Sequence, residues 1–450
     1  MTNLDDVLKQ VREELRPLPE TVAKTENVAQ RLVARLEAVF GAGKVSLEGS
    51  LAKRTMLRGR EEADIFIHFR SDVPVDQACN LVVQEGVQAI KDENGAYRLR
   101  YANHPYVEGF VQGIRVNIVP CYDAEYGGWV TPVDRTPHHT RYVNQHLSDD
   151  QRDEVRLLKA FLINDGLYGG EIRFRGFSGY LCELLIIHFS SFKQLLQQVL
   201  KWKPPVDLSL NGVHDQSPLI FPDPVDPKRN AAAAVSLTSL SNFIMKTKLF
   251  LKKPSRSYFF DKTSLKSLVE GRNFLIVLFD VPDQPPDVLW GELNKSMQGF
   301  AKSLEVFGFK VIRSDRWVDS RRGVFAFELE TLSLPRVFVN RGPPIWSGNA
   351  VDFIDEQLKK PELLAYPWVM KDRLYSLLAR KHVDATETFK MLIDMDKASV
   401  SKKLKPYLKR AKIYSDIKVA EADLLEEEKL FLEDFVRACP HYVGHYVSLS

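Results

Sequence analysis

Cysteine is scarce in this 450-residue chain: four residues, Cys79, Cys121, Cys182 and Cys439, stand far apart. No CxxC or Cys/His zinc spacing joins them, which argues against a zinc module or a disulfide framework and predicts reduced, core-facing thiols in a cytoplasmic protein. Long apolar runs are missing too. No stretch approaches the roughly 18 apolar residues needed to span a bilayer, and the N-terminus, MTNLDDVLKQVREELRPL, reads as a charged amphipathic helix and not a signal peptide, so no membrane partner is expected. Nor does one sign of charge dominate. With a net charge of +3, any nucleic-acid role has to come from local basic patches and not from an overall field. What remains is an ordinary composition, 44% hydrophobic and 27% charged, with length for about three domains and several buried cores.

The most informative stretch is GSLAKRTMLRGREEADIFIHF, residues 49–69. Alternation along Asp64-Ile65-Phe66-Ile67-His68-Phe69 is that of a strand, so Glu62 and Asp64 project from one face. Two adjacent carboxylates repel, and the pair is either exposed and bland or built to hold a divalent cation. Gly49-Ser50 permits a tight turn whose N–H groups and hydroxyl face a phosphate, and Lys53, Arg54, Arg58 and Arg60 follow. Phosphate donors ahead of paired carboxylates are what nucleotidyl transfer needs, and this wording resembles the signature of the polymerase-β-like nucleotidyltransferase superfamily.

In chain order, residues 4–16 and 19–40 carry helical apolar spacing, a further helix is expected over Val73–Lys91, and strands over Tyr97–Tyr101, Tyr106–Val111 and Ile114–Pro120. The last of these should lie beside the Glu62/Asp64 strand, and it places Asn117 where a third metal-binding carboxylate is expected. An amide oxygen ligates a hard cation but carries no charge and accepts no proton. Residues 131–139, with His138 and His139, read as a turn-rich loop, and a long helical region follows to about Leu200. Within it Lys159 interrupts an apolar stripe and is assigned to solvent by default; Arg173–Tyr180 is a glycine-punctuated turn opening an apolar helix. Residues 203–230 form a Pro/Asp-rich excursion, 231–251 an Ala-rich helix, and a domain boundary falls within 252–272. Beyond it, Asn273–Val281, Val288–Val306, Phe309–Trp317 and Gly323–Glu330 give a β-α-β-β order, a ferredoxin-like sheet. Its hairpin, with Arg313, Arg316, Arg321 and Arg322 beside Trp317, suits RNA or is simply solvated. The remainder reads as helical, with a basic block at 401–412 and an acidic run from Glu421 to Glu428, either an RNA-facing patch or two surface helices.

The phrases GSLAKRT, EADIFIHF, YANHPYVEG, VNIVPCY, VDRTPHHT, EVRLLKAF, RFRGFSGYLCELLI and DPVDPKRNAAAAVSL together resemble the archaeal-type CCA-adding tRNA nucleotidyltransferases over most of the first 260 residues. That resemblance implies an α+β multidomain fold: a nucleotidyltransferase head at 1–145, an α-helical neck at 146–260, a ferredoxin-like body at 261–335 and an α-rich tail at 336–450. It implies template-independent addition of C, C and A to a tRNA 3′ end from CTP and ATP, with the body and tail gripping the acceptor half of tRNA, usually in a homodimer. By the same resemblance, Glu62 and Asp64 ligate Mg²⁺, Ser50 and Lys53 touch the triphosphate, and His139, Lys159 and Tyr168 lie near triphosphate and ribose. Arg229 matches the arginine that helps select C and A. Lys53 stands where relatives often carry Arg, which keeps charge but loses a bidentate fork.

Asn117 departs from the pattern, since the family carries Asp there as metal ligand and proton acceptor. Either activity is reduced or another group compensates. A poly(A)- or oligoadenylate-type nucleotidyltransferase, using ATP alone and extending without stopping, and a catalytically inactive tRNA-binding relative are the competing readings.

Overall fold

Residues 3–101, 105–209, 216–262 and 269–449 are described by the computed structural model. Parts of the phrase YANHPYVEG, of the excursion at 203–230 and of the boundary at 252–272 lie outside the described residues. The chain divides into two units, one comprising Met1–Leu265 with Cys439–Ser450, the other Lys266–Ala438.

The first unit begins with helices α1 (Leu4–Leu15) and α2 (Pro19–Phe40). A five-stranded sheet follows, built from β1 (Val45–Glu48), β2 (Glu62–Phe69), β3 (Ala96–Tyr101), β4 (Pro105–Val111) and β5 (Ile114–Tyr122) in the order β1-β2-β5-β4-β3. A short helix α3 (Gly49–Ala52) links β1 to β2, and α4 (Val75–Asp92) links β2 to β3. The period-2 pattern sends Ala63, Ile65, Ile67 and Phe69 of β2 inward, where they join Val28, Leu32 and Leu36 of α2 and Val82 and Ile90 of α4 in one core. The opposite face keeps Glu62 and Asp64. β2 and β5 pair in parallel, Asp64 opposite Asn117, while β1 and β2 are antiparallel, Glu48 opposite Asp64.

Helices α5 (Arg135–His146), α6 (Asp149–Ile163), α7 (Gly179–Phe189) and α8 (Phe192–Val199), the short paired strands β6 (Val206–Asp207) and β7 (Leu219–Ile220), then α9 (Leu237–Lys252) and α10 (Ser257–Phe260), build a second core around Phe161, Phe192, Phe243 and Phe250. Two expectations change here. His138 and His139 lie on α5 and not in a loop. The Ala-rich run does not start a helix: Ala231–Ala234 form turns, and α9 starts after the Ser236 cap, whose hydroxyl accepts from Ser239 N–H at 3.1 Å. The C-terminal helix, His441–Ser448, packs on this core, so the last residues belong with the first unit, a position the division at 336–450 does not give them. Tyr442 is 5% exposed there and donates its hydroxyl to Asn242 at 2.7 Å.

In the second unit, β8 (Asn273–Asp280), α11 (Pro286–Val306), β9 (Val311–Val318) and β10 (Arg322–Leu329) have the expected β-α-β-β order. The stretch read as helical then departs from expectation. β11 (Val337–Pro344), α12 (Ala350–Leu358), β12 (Leu363–Met370) and β13 (Arg373–Ala379) form a three-stranded antiparallel sheet, β11-β13-β12, with one helix. These strands escape a period-2 reading because β11 closes on Pro343-Pro344 and β12 exposes Leu364, Tyr366 and Val369. Helices α13 (Ala385–Asp394) and α14 (Lys405–Leu408), strand β14 (Lys412–Tyr414) and helices α15 (Ile417–Glu421) and α16 (Glu426–Arg437) complete the unit. β14 pairs with β8, giving an all-antiparallel sheet of order β14-β8-β10-β9 whose edge strand comes from residues 412–414, past the expected boundary at 335. The arginine hairpin is mostly committed to this unit: Arg313 binds Glu328 at 2.6 Å, Arg322 faces Glu428 at 3.1 Å, and Trp317, 8% exposed, is packed away from any base. In the basic and acidic blocks, Lys412 pairs with Asp423 at 2.9 Å.

Candidate active site

The carboxylate face rests on Gly49. Its φ of +72° suits glycine, and a Cβ built there would lie 1.9 Å from Asp64 Oδ2, so only bare backbone lets the turn close against that carboxylate. On the other side Asn117 Nδ2 donates to Asp64 Oδ1 at 2.8 Å. Burial holds the Asp64 carboxyl above the ordinary carboxylate range, against the Asn117 hydrogen bond and nearby Lys53. Glu62 bonds the Arg115 guanidinium from the paired position on β5. Glu62 and Asp64 supply hard oxygen donors from one strand face, and Mg²⁺ is commonly held by one or two carboxylates plus substrate phosphates, so the donor chemistry fits such an ion. Among the described residues, no three His, Cys, Asp or Glu side chains are grouped to hold a metal by themselves.

Behind this face, α6 grips the loop that follows Gly49-Ser50. Arg152, Arg156 and Lys159 repeat at helical spacing on one side of α6. Arg152 Nε donates to the Lys53 carbonyl at 3.0 Å, Arg156 Nε to the Met56 carbonyl at 2.9 Å, and Lys159 Nζ to the Thr55 carbonyl at 3.2 Å. The solvent assignment of Lys159 is therefore corrected: it is 3% exposed, because it continues a stripe of cations aimed at backbone carbonyls. Its ammonium also meets Glu183 Oε1 at 3.2 Å, while Lys53 Nζ binds Glu183 Oε2 at 2.6 Å and Thr55 Oγ1 binds Oε1 at 2.7 Å. Burial lowers the Lys159 pKa, opposed by Glu183; for Glu183 the two lysines outweigh burial and keep the carboxyl below its usual range.

A second carboxylate gathers the other predicted residues. Asp223, fully buried, takes His139 Nε2 at 2.9 Å, Arg229 Nη1 at 2.8 Å, the Tyr180 hydroxyl at 2.9 Å and the Val225 N–H at 3.0 Å. Burial pushes its carboxyl up, but these donors win and hold it at about 2. His139 stacks on Tyr180 with centroids 3.8 Å apart, and Lys53 Nζ lies 5.9 Å from the same Tyr180 ring, which links the two clusters. Burial depresses the His139 pKa, with Asp223 pulling the other way.

Ser50, Glu62, Lys159 and Tyr168 line one cleft of about 690 Å³. Lys53 joins it through the shared Glu183; His139 and Arg229 meet on Asp223; Asp64 and Asn117 sit together in the sheet. Sequence reading missed Glu183, Asp223, Tyr180 and Thr55. A lone carboxylate within the otherwise apolar run LCELLII signals a buried partner for Glu183. Nothing in DPVDPKRN separates Asp223 from its neighbours. The helix carrying Glu183 is set by Ser178, whose Oγ accepts from Leu181 N–H at 3.2 Å, and by Gly179, where a Cβ would come within 2.8 Å of the Tyr168 hydroxyl.

The chain is similar to known proteins along most of its length. A family model described as tRNA nucleotidyltransferase, second domain, matches residues 153–260, and one described as CCA-adding enzyme, C-terminal domain, matches residues 270–416. The chain is 36% identical over 386 residues to the CCA-adding enzyme of Sulfurisphaera tokodaii, covering 85% of this chain and 89% of that protein. It is 37% identical over 393 residues to the CCA-adding enzyme of Pyrobaculum neutrophilum, covering 85% and 92%. Among solved structures, the Cid1 poly(U) polymerase with Mg and 3′-dATP bound aligns over 56% of this chain and 96% of its own, at 14% identity and a TM-score of 0.44. The apo form of mtPAP aligns over 57% and 70%, at 12% identity and a TM-score of 0.44. No helix among the described residues is long and apolar enough to cross a membrane. With 36% identity across nearly the full length of its relatives, the chain belongs to the CCA-adding tRNA nucleotidyltransferases.

Proposed function

We propose that this chain adds C, C and A to the 3′ end of tRNA, drawing on CTP and ATP, at the cleft bounded by Glu62 of β2 and the loop that α6 grips. The observation that carries this reading is the convergence of Ser50, Glu62, Lys159 and Tyr168 on one cleft, with Lys53 tied to it through Glu183.

The Gly49-Ser50 turn offers backbone N–H groups and a hydroxyl to the β- and γ-phosphates, and Lys53 and Lys159 supply charge behind it. Glu62 and Asp64 would hold Mg²⁺, with Asn117 offering a neutral oxygen if its amide turns. When bound, that ion supplies charge neutralisation at the phosphates and acidifies the attacking 3′-hydroxyl. Tyr168 borders the ribose side of the cleft. Arg229, clamped by Asp223 and 37% exposed, presents the rest of its guanidinium to the base edge. Asn117 cannot take the proton of the attacking hydroxyl, so that proton needs another acceptor.

We read the five-stranded sheet as the head, the helices around Phe161 as the neck, the β14-β8-β10-β9 sheet as a ferredoxin-like body and the β11-β13-β12 sheet as part of the tail. A homodimer and a cytoplasmic location follow the family. Incubating full-length chain, Mg²⁺, CTP and ATP with tRNA lacking its terminal CCA tests the reading: three added nucleotides support it, and open-ended A addition favours a poly(A)-type enzyme instead. The amide at position 117 is the one observation favouring the second alternative, a tRNA-binding relative without catalysis; salt-sensitive tRNA binding with no incorporation would mark it.

A further inference from the structure

Glu183 is 0% exposed on a helix whose neighbours Leu181, Cys182, Leu184, Leu185 and Ile186 are all at 1% or less. A carboxylate in such a place persists only if cations and donors replace its water. Here both oxygens are taken: Oε2 by Lys53 Nζ at 2.6 Å, Oε1 by Thr55 Oγ1 at 2.7 Å and Lys159 Nζ at 3.2 Å. Two buried ammonium groups thus share one carboxylate, and the cluster keeps one positive charge. Thr55 and Lys159 line the cleft, whereas Glu183 stands behind them. Without Glu183 the two ammonium groups would confront each other in a dry site, where repulsion and lost hydration both favour shedding a proton or swinging away.

On the footing of the function proposed above, we propose that Glu183 is a positioning residue: it keeps Lys53 and Lys159 charged and close together behind the cleft wall to which Thr55 and Lys159 contribute, so that their surplus charge receives the polyphosphate of the nucleotide. It touches no substrate itself. Its carboxylate holds the pair assembled before nucleotide arrives, so binding need not gather two mobile, mutually repelling lysines.

The test is equilibrium binding to the full-length chain, which does not depend on turnover. Affinities for CTP, inorganic pyrophosphate and tRNA are measured for wild type, Glu183→Gln and Lys159→Met. Glu183→Gln should weaken CTP and pyrophosphate in parallel, each by at least about tenfold, since the carboxylate that holds the two ammonium groups together is gone, and leave tRNA affinity within about twofold. Glu183→Asp, which retains the charge on a shorter arm, should fall between wild type and Gln. A merely structural role would move tRNA affinity with the others and leave Asp no better than Gln. Unchanged pyrophosphate affinity in Glu183→Gln overturns the inference while Lys159→Met still weakens CTP. If Lys159→Met also leaves CTP untouched, the reading of the cleft fails and takes this inference with it. Should Glu183→Gln not fold, Glu183→Asp carries the same comparison: wild-type pyrophosphate affinity in it contradicts the inference.

Discussion

Asp64 and Asn117 face each other at one register of neighbouring parallel strands, and the Asn117 amide donates to the Asp64 carboxylate at 2.8 Å. The bond quiets a position where a second negative charge is expected. Replacing the amide by a carboxylate removes a donor worth about 1 kcal/mol and sets two like charges side by side. Asn117→Asp should therefore lower the thermal midpoint without divalent cation and recover it with Mg²⁺. The Mg²⁺-induced shift should exceed that of wild type by several degrees. Equal shifts in both proteins would remove position 117 from the ion site.

Gly49 tests the same face from the other side. A methyl group there would strike Asp64 Oδ2, and the φ of +72° disfavours any side chain. Gly49→Ala should cost about 1–3 kcal/mol in urea unfolding and reduce nucleotide incorporation by about a hundredfold, the usual penalty for displacing a catalytic group by an ångström. Wild-type incorporation in this variant would mean that the turn and Asp64 move independently.

The Asp223 cluster sets an acid limit on stability. Its folded pKa of about 2 lies below the unfolded value of about 3.9. The stabilisation is therefore present above about pH 4 and is lost as pH falls through about 2, an effect on the order of 2 kcal/mol. Asp223→Asn should be less stable near neutrality, and the gap to wild type should shrink as pH drops from about 5 to 2.5. Denaturant midpoints across that range decide it; parallel curves would show that Asp223 titrates normally.

Much of this site was legible from residue order. The alternation in EADIFIHF sends Glu62 and Asp64 to one face because a strand has period 2, and the β5 assignment placed Asn117 beside them. What stayed hidden were partnerships, which periodicity does not encode. Lys159 sits on a stripe with Arg152 and Arg156, and only the loop beneath shows that the stripe points at carbonyls rather than water. Trp317 beside four arginines looks like a base-stacking platform until Phe274, Val324 and Leu432 are seen in the same core. The strands of the β11-β13-β12 sheet mix prolines with exposed apolar residues, which masks their period-2 pattern.

The return of the chain to the first unit gives another prediction. Tyr442 is 5% exposed, its N–H donates to Asp165 Oδ1 at 3.0 Å, and Asp165 Oδ2 in turn accepts from the buried Lys246 at 2.5 Å. Tyr442→Ala should cost about 3 kcal/mol, read as a lowered thermal midpoint of the full chain. A loss under about 0.5 kcal/mol would mean that the C-terminal helix contributes little to this core.

On the function proposed above, the cleft performs CCA addition and the amide at 117 limits it. The most direct measurement follows single-nucleotide products on tRNA lacking CCA, with CTP, ATP and Mg²⁺, for the wild-type chain and Asn117→Asp side by side. Both should stop after C, C and A, with Asn117→Asp faster by at least about tenfold. Open-ended A addition, or no incorporation by either protein despite bound tRNA, would contradict it.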